Sequence, residues 1–448
     1  MKIFEPLVLK FEDGNWANDP ELGLMDTILE QNPGLIKMLE SDITQGKPSS
    51  AFGRQDTPSV EQIIRAAIYK EMKNLDYRSL EYAQEDSKIC EKFVKIDTCR
   101  PYSFLVWQKY ISRISEEKLE KLMVELNRVA IAEGLEDVQS LRQDTTVIET
   151  NIHYPTNNSL VWDCIKESER LLVHLKEETE GISFEEYKKE AKQTYFKINV
   201  EKDAEKRVKL FQKQLKVFME CINQVSNTVK KKSKHEVTAK AIGCMAALES
   251  LLPVMEKVYR MTVRKEIHKE SVPVEEKIFS IYERHTDIIV KGQRDVQFGH
   301  KVNLGCGKSN LVLTCEILKG NPKDSELYQG TIEKVKRHYG KTPESSTADG
   351  GFASMENIEY SKKEGIANIV FNKIRGCMQN IADNKWIENK LKRWRSGMEA
   401  IISNLKRGFH ISRCAWKGVA HYGQKVFWSI IGYNLRVMTA GLLAGMTL

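Results

Sequence analysis

The sequence predicts an α/β protein built around a mixed sheet and interrupted by a long helical segment. Three observations carry this prediction. Residues 141–150 (LRQDTTVIET) alternate and are rich in β-branched side chains, which marks a strand. Residues 275–407 carry strand and helix signals in turn. Between them, residues 159–270 show helical periodicity throughout.

Residues 1–135 read as a helical module: apolar residues recur at helical spacing in Glu61–Met72 and Ser79–Phe93, split by the polar turn Lys73–Asp76. Pro101 and Ser103 open a further helix to about Ile114, followed by Glu116–Ala132. Segment 136–158 holds the first strand, ended by Pro155, Asn157 and Asn158. In 159–274 the series Val208, Phe211, Leu215, Phe218, Ile222, Val225 and the series Leu248, Leu251, Met255, Val258 each line one helix face. They suggest a helical hairpin or coiled-coil-like insertion, with Lys230–Lys232 and Lys234 near its turn as a solvated loop or a DNA-backbone contact. In 275–448, strands are expected at Lys277–Tyr282, Gly299–Leu304, Leu311–Leu318, Ser345–Asp349 and Ile366–Phe371. Helices are expected at about 325–338, 355–364 and, as one long element, 385–407.

Composition narrows the class. The chain has 448 residues, 41% hydrophobic and 29% charged, which excludes wholesale disorder. At about 150 residues per domain, two to three domains are expected. Nine cysteines, an odd number with no CxxC pair, argue against a zinc ribbon or a disulfide framework and suit reduced thiols. The opening MKIFEPLVLKFEDGNW has no basic start followed by an apolar run, so a cytoplasmic location is expected. The apolar stretch Val426–Leu443 contains Asn434 and Arg436 and reads as a buried helix rather than a membrane span. No P-loop or GxGxxG is present, so ATP use and hydride chemistry gain no support.

Charge is concentrated in one place. Residues 384–417 hold nine cations (Lys385, Lys390, Lys392, Arg393, Arg395, Lys406, Arg407, Arg413 and Lys417) against Glu388 and Glu399, an excess equal to the whole chain's net +7. Three of the seven tryptophans, Trp386, Trp394 and Trp416, lie in the same stretch. Cations interleaved with aromatic rings suit a phosphate backbone and an unstacked base; the competing view is a solvated basic helix with its rings in the core.

Three carboxylates stand out. Asp144 lies early on the first strand, Asp349 ends a later strand before Gly350-Gly351, and Glu399 sits on the basic helix. At 100° per residue, Arg395, Glu399 and Lys406 fall on one helical face. Glu399 taken alone reads as half of an i,i+4 ion pair with Arg395; the two aspartates change that weighing. Two strand aspartates and a helix glutamate converging at one sheet edge repel each other unless a divalent cation neutralises them, and oxygen-only ligation suits Mg²⁺ or Mn²⁺. Asp163, Glu149, Asp287, His153 and His300 lie near these motifs and are set aside; Glu149, five residues beyond Asp144, faces the other side of the strand.

In that order, Asp144, Asp349 and Glu399 resemble the DDE triad of bacterial insertion-sequence transposases. QDTTVIETNIHYPTNNSLVWD is similar to the first-aspartate motif of the ISNCY-type group, TADGGFAS (347–354) to the second, and RWRSGMEAIISNLKRGF (393–409) to the glutamate helix. The last keeps the Arg-x3-Glu-x6-Lys spacing through Arg395, Glu399 and Lys406. RHTDIIVKG (284–292), FGHKVNL (298–304) and RCAWKGVAHYGQKVFWSIIGYNLRVM (413–438) are also similar to such proteins. One departure is Lys392, at a position where many relatives carry Tyr.

The resemblance implies an RNase H-like catalytic core whose three acids hold two Mg²⁺ ions, with Mn²⁺ able to substitute. It implies a transposase that cuts transposon ends and joins the 3′-hydroxyl to target DNA. Arg395 and Lys406 are expected to grip phosphates; Lys392, Arg393 and Arg407 are further DNA-contact candidates; Trp394 or Trp386 would stack on a displaced base. The 1–135 module is expected to bind double-stranded terminal inverted repeats, with a homodimer holding two ends and no membrane involved. The competing classes are an inactive or domesticated DNA-binding relative and a metal-dependent nuclease without strand transfer.

Overall fold

The computed structural model describes residues 13–46, 57–97, 101–179, 182–231, 238–291, 295–374, 376 and 378–446. Cys99, Cys377, Lys232, Lys234 and the first twelve residues lie outside them. The chain divides into two units, Met1–Asn151 with Ile289–Leu448, and Ile152–Ile288.

The first unit holds the sheet. Its strands are β1 (Ser140–Thr150), β2 (Asp287–Lys291), β3 (Asp295–Cys306), β4 (Val312–Ile317), β5 (Ser345–Ala348), β6 (Asn368–Phe371) and β7 (Arg413–Cys414). β1 is central. It pairs antiparallel with β3, which pairs antiparallel with β4; on its other side it pairs parallel with β5, which pairs parallel with β6. β2 also pairs with β3, and β7 with the end of β1. Residues on both faces of β1 are buried, among them Leu141, Gln143, Val147 and Ile148, as its central position requires.

The N-terminal helices share one hydrophobic cluster with this sheet, through residues such as Leu122, Leu126, Trp107, Val312 and Trp428. The long helix Val419–Met446 runs through that cluster, with 72% of its most apolar window buried. Asn434 and Arg436, the polar residues that argued against a membrane span, are fasteners. Asn434 accepts from the Val312 amide at 3.0 Å and donates to the Val312 carbonyl at 2.9 Å, while Asn127 from helix Glu116–Ala132 donates to the same carbonyl at 2.9 Å. These bonds satisfy backbone groups on β4, the last strand on its side of the sheet. Arg436 pairs with Glu21 at 3.0 Å.

The second unit packs helices Asn157–Glu178, Lys188–Val200, Ala204–Lys230 and Ala239–Thr262 around Leu172, Phe218, Val225, Leu248, Met255 and Val258. The two apolar series read from the sequence are buried except for Val208, which stays half-buried, and all but Val208 and Phe211 join this core.

Two expectations are corrected. Lys277–Tyr282 is not a strand: the Ser280 hydroxyl accepts from the amides of Tyr282 and Glu283, both at 3.1 Å, and turns the chain, so the strand begins only at Asp287. The single helix expected at 385–407 is two, Lys385–Ser396 and Met398–Gly408, broken at Gly397. The cause of that break belongs to the site.

Candidate active site

Strand register brings the two aspartates together. Gln143 of β1 pairs with Ala348 of β5, the last matched pair in a parallel ladder. The next residue on each strand is Asp144 and Asp349. Both therefore emerge where β5 ends, at the carboxyl edge of a parallel pair, where open α/β sheets place their ligand sites.

The Gly350-Gly351 pair makes the turn after Asp349 possible, against protein rather than substrate. A Cβ at 350 would lie 2.6 Å from the Asn372 carbonyl oxygen and 2.8 Å from that of Lys373, and one at 351 would lie 2.9 Å from an Asp324 carboxylate oxygen. The Asp324 carboxylate is engaged by Lys301 at 2.6 Å and by the Thr145 hydroxyl at 3.1 Å.

The third acid arrives on the broken helix pair. Arg142, two residues before Asp144 and on the same face of β1, reaches out from a buried position. It donates to the Trp394 carbonyl at 2.6 Å and to the Asn310 side chain, and its guanidinium lies 4.8 Å from the centre of the Trp394 ring. A side chain at 397 would place its Cβ 2.7 Å from the same guanidinium. Helix Lys385–Ser396 therefore ends over β1, and Met398–Gly408 starts afresh with Glu399 in its first turn, where a carboxylate complements the helix dipole.

Arg395 is the hub. It donates to Asp144 at 2.7 Å and lies 3.8 Å from Asp349 and 3.8 Å from Glu399. The three acids, from three separate elements, thus converge on one guanidinium. Their exposures are graded: Arg395 is 9% exposed, Asp144 18%, Asp349 44% and Glu399 77%. Asp144 also accepts from the Thr145 amide at 2.8 Å. The buried Arg395 Nε has no hydrogen-bond partner among the described residues.

Oxygen-only carboxylates gathered around a cation fit hard divalent ions in kind. Their meeting point is the guanidinium: among the described residues, no three Asp, Glu, His or Cys side chains form a ready-made metal cluster.

The remaining candidates are distributed unevenly. Lys392 pairs with Glu388 at 2.6 Å rather than with the acids. Glu388 also binds Lys385 at 2.7 Å and Asn380 at 3.0 Å, and the Asn380 bond followed by the two lysines holds its carboxyl down at about 2. Arg393 and Arg407 are exposed and Lys406 is half-buried on the second helix. Gly397, between the two helices, keeps right-handed helical dihedrals (φ −64°, ψ −11°). Trp394 has one ring face covered by Arg142, Trp416 packs near Tyr77 with ring centres 5.9 Å apart, and Trp386 is 68% exposed.

The residues set aside are otherwise engaged. Glu149 pairs with Arg413 at 3.0 Å, Asp163 with Lys166 at 3.0 Å and His153 at 3.3 Å, and buried His300 lies edge-on to Tyr422. The cysteines among the described residues are buried and form no disulfide with one another. Arg142 was missed by sequence reasoning. Its signal was a cation inside a β-branched run on the same face as Asp144.

Residues 286–435 match the family model of the transposase DDE domain, a family that implies an RNase H-like fold. The matched stretch includes Asp349, Arg395 and Glu399 and begins after β1, so Asp144 enters the site through strand pairing alone. No curated protein and no solved structure matches the chain.

Proposed function

We propose, on the premise that this chain is a DDE-class insertion-sequence transposase, that it cuts transposon ends and joins the freed 3′-hydroxyl to target DNA, using Asp144, Asp349 and Glu399. The observation that carries the proposal is the convergence of those three acids on Arg395, at 2.7, 3.8 and 3.8 Å. The RNase H-like core is then the sheet β4-β3-β1-β5-β6 with helices Lys385–Ser396 and Met398–Gly408 against it. The segment 159–274 is an insertion between its first two core strands, and 1–135 is the module for the terminal inverted repeats.

Asp144, Asp349 and Glu399 would hold two Mg²⁺ ions, or Mn²⁺, which when bound activate the attacking oxygen and neutralise charge on the phosphoryl group. The chain's own residues do the rest. β1 and the end of β5 fix the two aspartates in register, so their spacing does not depend on substrate. Arg142 fixes the helix carrying Arg395. Arg395, with a planar fork of donors, suits a phosphate beside the scissile bond. Lys406, Arg393 and Arg407 add positive charge along the backbone track, and Lys392 does so once released from Glu388. The duplex bridging two chains as a homodimer follows from the need to hold two ends.

The test is Mg²⁺-dependent cleavage and strand transfer on DNA bearing the element's ends. Asp144→Ala, Asp349→Ala and Glu399→Ala should each abolish cleavage while leaving DNA binding measurable. Robust cleavage by any of the three removes that residue from the mechanism. Precut ends that fail to join to target DNA identify a nuclease instead.

A further inference from the structure

We infer that Arg395 is the resident counter-ion of the carboxylate trio, and that a DNA phosphate must take its guanidinium before divalent ions can load. The inference rests on the reading above that the trio is the metal site.

Three carboxylates within 4 Å of one another's shared partner carry three negative charges, and Arg395 supplies one positive charge among them. A divalent ion and the guanidinium therefore compete for the same oxygens. The competition is sharpest at Asp144, where the bond is 2.7 Å and both side chains are largely buried. At Asp349 and Glu399 the contacts lengthen to 3.8 Å and the carboxylates open to solvent. The guanidinium is thus anchored by one acid and only leaned upon by two.

Its present seat is also incomplete. Arg395 Nε is buried with no hydrogen-bond partner among the described residues, a costly condition for a donor. A phosphate has oxygens enough to engage Nε and a terminal nitrogen together, which the single bond to Asp144 does not do. The helix carrying Arg395 is pinned by Arg142 to the strand carrying Asp144, so the exchange needs a side-chain rotation and no movement of the fold. A phosphate arriving at the site draws the guanidinium off Asp144 and takes its positive charge away from the three acids, which raises their affinity for a cation. By linkage the effect is reciprocal: metal strengthens the phosphate contact as much as phosphate strengthens metal binding. The arrangement keeps the free protein from holding a metal-loaded, hydrolytically competent site in the absence of DNA.

The measurement is Mn²⁺ affinity, read from the electron paramagnetic resonance signal of free Mn²⁺, on the full-length chain. It is made with and without a short duplex of arbitrary sequence. The Asp144→Asn, Asp349→Asn double variant is the baseline that subtracts Mn²⁺ taken up by the DNA. Wild type should bind Mn²⁺ weakly alone and roughly 5- to 150-fold more tightly with duplex, the usual span of such coupling. Arg395→Gln should bind tightly without DNA and gain little from it. An Arg395→Gln affinity equal to or below that of wild type, with dependence on Asp144 and Asp349 retained, overturns this inference alone. Mn²⁺ binding indifferent to Asp144 and Asp349 in every arm sinks the metal-site reading, and this inference with it. Should a thermal melt find Arg395→Gln unfolded, the wild-type arm decides: no gain over the baseline on adding duplex overturns the inference.

Discussion

Arg142 occupies the space that a side chain at Gly397 would fill, its guanidinium nitrogen standing 2.7 Å from where that Cβ would sit. A strand cation and a helix-breaking glycine, far apart in the chain, therefore define one joint. Arg142 holds the Trp394 carbonyl at 2.6 Å on one side of the break, and Glu399 opens the next helix on the other.

Gly397→Ala should destabilise the protein by about 0.5–2 kcal/mol. Loss of a charged hydrogen bond costs about 1.5–3 kcal/mol, and the better helix propensity of alanine returns about 1 kcal/mol at most. Urea denaturation measures it. In an Arg142→Ala background the same change should become neutral or stabilising, because the obstructing group is gone. Equal costs in both backgrounds would show that Arg142 is not the obstacle.

Asp144 and Glu399 should differ in what their loss does to stability, although both are required for cleavage in the proposed mechanism. Asp144→Ala strands a guanidinium that is 9% exposed and should cost on the order of 3 kcal/mol. Glu399 is 77% exposed, and its removal should change stability by no more than about 0.5 kcal/mol. Chemical denaturation of the two variants side by side tests this. Equal losses would mean that Arg395 does not depend on Asp144.

Glu388 should make the basic helix acid-sensitive. Its folded carboxyl titrates at about 2, through the Asn380 bond first and then Lys385 and Lys392. A folded value below the unfolded one, which is about 4.3, means stability present above the unfolded value and lost as pH falls towards 2. The difference in stability between wild type and Glu388→Gln should therefore shrink between about pH 5 and pH 2. A difference that stays constant over that window would leave Glu388 without its assigned role. Both lysines are partly exposed, so solvent screens the effect.

Trp386 should contribute to single-strand binding and Trp394 to the fold. Trp386 is 68% exposed with Lys390 5.0 Å from its ring centre, a platform open to a base. Base stacking on an aromatic ring is worth about 1–3 kcal/mol, so Trp386→Ala should weaken single-stranded DNA binding by about that much with an unchanged melting temperature. Trp394→Ala removes the ring that covers Arg142 and should lower the melting temperature instead. The opposite assignment of effects would exchange their roles.

Much of the fold was legible in local pattern. β1, the helix Glu116–Ala132 and the buried faces of the second unit were read closely, because alternation and helical periodicity are carried by neighbouring residues. The strand expected at Lys277–Tyr282 failed because a serine side chain captured two backbone amides there, which no apolar pattern records. The uninterrupted helix at 385–407 failed because the residue that breaks it, Arg142, lies on another element.

The sequence by itself determined the order of acidic, basic and aromatic residues, the class of element each sits on, and the clustering of the chain's charge excess near its end. Those properties are additive along the chain. Only the tertiary structure decided that Asp144 and Asp349 are successive to a matched strand pair, and that one guanidinium faces all three acids, Asp144 from 251 positions away in the chain. Register and long-range ion pairing depend on how strands align and which buried charge finds which partner, and neither is written in any local window.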